Sequence, residues 1–255
     1  MTAQIHSVPQ EAAKHESVGP AGRTVYIIGG AAALLIVLTA LAEILITFLP
    51  GGYAVINTVT DWFALLQANP FLGLRNLGLL NILMTAMGIP LTFSLYWAHR
   101  KSNPALVSLA LIVVLIGDAI FYATNRAFPM LDLSLRYAVA APAQRAALEA
   151  AGQALLAVGQ SHTPGTFLAF FFSEVGGIFM ALVLLRGKLF SQAAACAGLI
   201  AYGFLAVFEV LSSFVPAWHD AILVLAMIGG LANIAWYLSV AFRLFQPGLV
   251  DRVGK

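Results

Sequence analysis

Apolar runs longer than about 18 residues, the length that crosses a bilayer, recur along this chain. No other feature limits its fold as much. The chain is 61% hydrophobic and only 9% charged, where soluble domains are about 25% charged. Mean hydropathy is +0.91. A soluble globule of 255 residues could not bury that much apolar surface. A β-barrel would read as short alternating strands, and none is visible. The expected fold is all-α: a polytopic membrane bundle of six transmembrane helices.

The six helices fall at about 24–49, 71–97, 104–125, 164–185, 190–214 and 221–245. Pro50-Gly51-Gly52 stops the first, and His99-Arg100-Lys101 closes the second. A short amphipathic piece, 53–67, carries Asp61 and Trp62 and ends at Asn69-Pro70. Residues 1–22 lack an apolar period and read as a disordered tail, 23–246 as the membrane domain, and 247–255 as a second tail. Residues 126–163, between helices three and four, are too many for a simple connector. There Pro142 fits the first turn of a helix running to about Val158, with Arg145 and Glu149 spaced for an i,i+4 pair. This external amphipathic segment should lie on the membrane surface or over the bundle.

Basic residues set the expected orientation. Lys14, Arg23, Arg100, Lys101, Arg186, Lys188, Arg243, Arg252 and Lys255 fall on one side; Arg75, Arg126, Arg136 and Arg145 fall on the other. By the positive-inside rule both termini are cytoplasmic, in a multi-pass protein of the cell membrane. Net charge is +2 with scattered bases, which argues against a nucleic-acid partner.

An internal repeat is also legible. Glu43–Pro50 (EILITFLP) aligns without gaps on Glu209–Pro216 (EVLSSFVP), and Gly78–Ile82 (GLLNI) matches Gly230–Ile234 (GLANI) in the same order. Helices one–two and five–six then form a parallel pair of repeats.

Four acids lie inside apolar runs: Glu43, Asp118, Glu174 and Glu209. Each would cost about 2.5–3.5 kcal/mol facing lipid at mid-helix, so they should face inward. Asp118, Tyr122, Asn125 and Arg126 share an arc of roughly 100° on helix three. Arg75 and Arg126 flank the layer, and Asn81 and Asn233 add amides. Arg75 is the expected partner of Asp118, and Glu43 or Glu209 that of Arg126. Two readings stand. In one, these residues form a ligand-free ion-pair network that fixes helix register. In the other, four acids against two bases leave an excess of about two negative charges, which a proton or bound cation must compensate.

Weaker signals add little. His162 and His219 read as loop residues, and no His or Cys spacing fits a metal site. No cofactor motif is visible. The single Cys196 permits no intrachain disulfide and reads as packing. Trp62 and Trp218 on one side, with Trp97 on the other, suit interfacial belts, and Trp236 reads as core.

Asn125–Ser134 (NRAFPMLDLS) followed by Tyr137, with Asp61-Trp62-Phe63 and Asn69-Pro70, resembles the uncharacterised membrane proteins grouped as domain of unknown function 4386. The resemblance implies six helices in a bacterial-type membrane and brings no established reaction. The leading functional expectation is a binder or transporter of a small molecule or cation. The alternative is a structural or signalling subunit whose charges only hold helices together. An enzyme comes third, because no nucleophile or metal set stands out.

Overall fold

A computed structural model of the chain describes residues 20–49, 56, 58–159 and 161–246. The expected tails at 1–19 and 247–255, and the Pro50-Gly51-Gly52 stop, lie outside the described residues. The described elements are α1 (Pro20–Phe48), α2 (Val59–Ala68), α3 (Pro70–Asn76), α4 (Leu79–His99), α5 (Pro104–Thr124), α6 (Ala127–Val139), α7 (Pro142–Leu156), α8 (Phe167–Arg186), α9 (Gln192–Phe214) and α10 (His219–Phe245).

Among the described residues six stretches are long and apolar enough to cross a membrane, carried by α1, α4, α5, α8, α9 and α10. Each packs on the next in that order, and α10 closes back on α1, so the spans form a ring. The chain is an all-α, six-span membrane bundle. Both described chain ends lie at one end of the ring, the near end. There His99 stacks on Phe190, and Arg243 Nε donates to the Leu189 carbonyl at 2.5 Å. Lipid gives no hydrophobic drive between helices, so small residues at the seams matter most. Gly29 admits Ser94 of α4, whose hydroxyl bonds the Val25 carbonyl at 2.7 Å, and Gly30 admits the Phe245 ring of α10.

The second expected helix, 71–97, is in fact two. The chain breaks at Leu77-Gly78, where Gly78 takes φ 96°, a left-handed conformation open mainly to glycine. The apolar pattern runs straight across this break, which is why periodicity alone hides it. Asn69 ends α2 and caps α3 at once: its carboxamide oxygen accepts from Leu72 N at 3.0 Å, and Pro70 supplies the first helical position.

The far end carries α2, α3, α6 and α7, which build a second core from Phe63, Leu66, Ala127 and Met130 among others. The apolar stretch of α5 and α6 spans 36 residues, about 54 Å if straight, too long for one crossing of a roughly 30 Å core. It turns at Asn125, whose ψ of 130° is extended. Helix α6 was not expected. α7 matches the helix expected from Pro142, but its Arg145–Glu149 pair does not form. Glu149 instead accepts the Tyr137 hydroxyl at 2.6 Å, and Arg145 lies over the Tyr137 ring. Trp62, expected in an interfacial belt, is buried in this second core. Trp236 is core, as expected.

Candidate functional site

The site grows from the α5–α8 seam. At Gly117 a Cβ would sit 2.7 Å from Ser173 N and 2.9 Å from the Ala169 carbonyl oxygen, so the two backbones touch. At Gly176 a Cβ would be 2.8 Å from Val114 N. The helices are antiparallel neighbours, so one step along each turns to the same side of the seam. Those next residues are Asp118 and Glu174. Both line one cavity inside the ring.

That cavity has a volume of about 760 Å³ and occupies the far half of the bundle. All six spans contribute to its wall, with Glu43, Asn81, Asp118, Glu174 and Asn233 as its main polar groups. Tyr202, Trp236 and Tyr237 form an aromatic floor, the tyrosine hydroxyls 3.4 Å apart and the Tyr202 and Trp236 rings 5.2 Å apart. Gly177 and Gly198 leave the room that these rings fill. The volume falls within the range of about 300–1,000 Å³ typical of small-molecule pockets.

The four membrane acids separate into two classes. Glu43 is paired: Arg75 Nη2 lies 2.7 Å from Oε1, and Nε donates to Oε2 at 3.2 Å. Arg75 also donates to the Glu43 carbonyl, to Thr47 Oγ1 and to Asn76 Oδ1, so its buried guanidinium is amply bonded. Glu209 is paired as well. His162 Nδ1 lies 2.5 Å from its Oε2, and Ser213 donates to its Oε1 at 3.3 Å. His162 takes φ 62° and is clamped between Phe170 and Phe208, while Ser212 donates to its carbonyl.

Asp118 and Glu174 form the other class. Asp118 is 7% exposed, and its Oδ2 has no hydrogen-bond partner among the described residues. The same holds for Glu174 Oε2, and for Asn233 Oδ1 beside them. Buried polar groups are nearly always bonded, so three bare acceptors on residues that line one cavity set it apart from the paired acids.

The expected partners are therefore reassigned. Arg75 serves Glu43 and not Asp118, while Glu209 is served by His162 and not by Arg126. Arg126 is buried at the start of α6 and lines a separate pocket of about 30 Å³, with Asn76 and Asn125, where about one water would fit. Its Nε is unpartnered among the described residues. Asn125 bridges the two chain breaks: its Oδ1 accepts from Ala127 N at 3.0 Å, and its Nδ2 reaches the Leu77 carbonyl at 3.5 Å. Tyr122 is 39% exposed and outside the cavity. The structure thus gathers Glu43, Asn81, Asp118, Glu174 and Asn233, and leaves Arg75, Tyr122, Asn125, Arg126 and Glu209 out of the lining.

Sequence reasoning missed His162 as the partner of Glu209. Its only signal was indirect: four membrane acids needed more bases than two arginines. Among the described residues no group of three or more His, Cys, Asp or Glu side chains is placed to hold a metal ion.

Fold and cavity together define an integral membrane protein in contact with the lipid bilayer, with two bare carboxylates inside its ring. Searches against protein-family models, curated proteins and solved structures find no match to the chain.

Proposed function

We propose that this protein binds a small positively charged molecule at Asp118 and Glu174, as a binding or transport protein of the cell membrane. One observation carries the reading: both carboxylates line a cavity of about 760 Å³ with oxygens that no described residue satisfies. A cation supplies both the missing partners and the missing charge. The Glu43–Arg75 and Glu209–His162 pairs are the structural part of the polar layer, holding helix register on either side of the site.

The proposal includes cytoplasmic termini, which rest on the nine-to-four division of the basic residues. It also includes the internal repeat. Asn81 and Asn233, equivalent in the alignment, both line the cavity; the copies differ in that Gly78 interrupts its helix while Gly230 lies within α10. The likeness to domain of unknown function 4386 enters on its motifs alone and supplies architecture without a reaction.

The test is equilibrium binding of sodium, methylammonium and tetraphenylphosphonium to the purified chain in nanodiscs. Binding of at least one is expected, and Asp118→Asn should weaken it more than tenfold while leaving the unfolding midpoint within a few degrees. Asp118→Asn that binds normally, or that unfolds the protein, removes Asp118 from a ligand site and returns it to structure.

A further inference from the structure

The exposure of the residues that wall the cavity narrows the ligand class. This step rests on the binding role of Asp118 and Glu174 proposed above. At the near end α1 and α10 are in close contact, Gly29 against Leu244 and Gly30 against Phe245. Towards the far end, Ile44 of α1, and Met227 and Leu231 of α10, line the cavity and are also 44%, 66% and 67% exposed. A side chain that meets both the interior volume and the exterior marks the edge of an opening. Gly230, between the two α10 residues, also lines the cavity, and a Cβ built on it would meet no atom within 4 Å.

The rim is apolar and lies within two membrane spans, 22–47 and 222–245. The opening therefore faces acyl chains. A hydrated inorganic ion would have to shed its water to cross such a rim, with no polar side chain among these edge residues to replace it. A molecule that is already at home in lipid crosses freely. Inside it meets Asp118, more than nine-tenths buried with Oδ2 unpartnered, then Glu174, and the Tyr202, Trp236 and Tyr237 rings below. Carboxylates supply charge, and aromatic faces hold both apolar surface and positive charge.

We propose that the far half of the α1–α10 seam is a lateral portal through which lipophilic monocations pass from the bilayer to Asp118 and Glu174. The ligand has an apolar body that fits about 760 Å³ and a single positive charge buried against the carboxylates. Neither an inorganic cation nor a polar solute has both features.

The test uses radiolabelled tetraphenylphosphonium with the full chain in nanodiscs, followed at equilibrium and in time. Saturable binding is expected, displaced by dodecylammonium and not by a thousandfold excess of sodium. Asp118→Asn with Glu174→Gln should abolish it. Gly230→Phe, whose side chain projects into open space at the portal, should slow association and dissociation at least tenfold with the carboxylates untouched. Leu231→Trp, at the same rim, repeats the measurement should Gly230→Phe not fold. If tetraphenylphosphonium exchange is unchanged in the folded rim variant, the portal is overturned. If only sodium or methylammonium binds, and does so through Asp118 and Glu174, the lipophilic ligand class is overturned while the cation site stands. If none of the three cations binds in a carboxylate-dependent way, the cation site itself fails and the portal with it.

Discussion

Glycines of the same bundle do opposite work at its seams and around its cavity. At the near end and along the α5–α8 seam they let neighbours in: Ser94 against Gly29, Phe245 against Gly30, Ser173 against Gly117. In the far half, Gly88 and Gly230 line the cavity, and a Cβ built on either would meet nothing within 4 Å. The first group brings helix backbones together; the second leaves space between them. Membrane helices gain little from excluding lipid from one another, so a filled region owes its stability to such contacts and a hollow one must be held open from its edges. The edges here are charged. Glu43–Arg75 lies at the far end of the α1 side, and Glu209–His162 ties the loop before α8 to α9.

That contrast can be broken most severely at Arg75. Arg75→Gln strands Glu43 and should cost towards the lower end of about 3–5 kcal/mol, since the Glu43 side chain keeps 36% exposure. Adding Glu43→Gln should restore more than half of the loss, read as the unfolding midpoint in detergent; a double variant no better than the single would remove the pair from its structural role. The next effect separates the two kinds of glycine. Gly117→Ala drives a methyl group into the α8 backbone and should cost about 1–3 kcal/mol. Gly230→Ala adds a methyl group in open space and a better helix former, so it should stabilise by about 0.5–1 kcal/mol. Equal effects at the two positions would contradict the division into filled and hollow regions.

Much of this fold is legible in the amino-acid sequence, because length and apolarity alone locate a membrane span. The six spans appear close to where the runs place them, and none of the four acids needs lipid as its partner. The α6 helix was hidden because Asn125, Arg126 and Pro129 lead the chain out of the apolar run. Pro129 sits at the third position of that helix, where its missing N–H breaks no helical bond. Pairing was hidden for a different reason. Arg75 and Glu43 are 32 residues apart, and His162 and Glu209 are 47 apart. Only the closure of the ring brings them together. Asp118 and Tyr122 show the limit of a helical wheel: they share an arc, yet Asp118 lines the cavity while Tyr122 is exposed outside it.

The central claim is that the far half of the ring is hollow and reachable while the near half is filled. Single cysteines test it directly in a Cys196→Ser background, reacted with N-ethylmaleimide in nanodiscs. Gly88→Cys lines the cavity in open space, and Ala33→Cys lies wholly buried in the near-end core. The account predicts modification of Gly88→Cys at a rate at least a hundredfold above that of Ala33→Cys, and its suppression by bound tetraphenylphosphonium. Equal inertness of the two cysteines would show the far half to be as closed as the near, and would contradict the account.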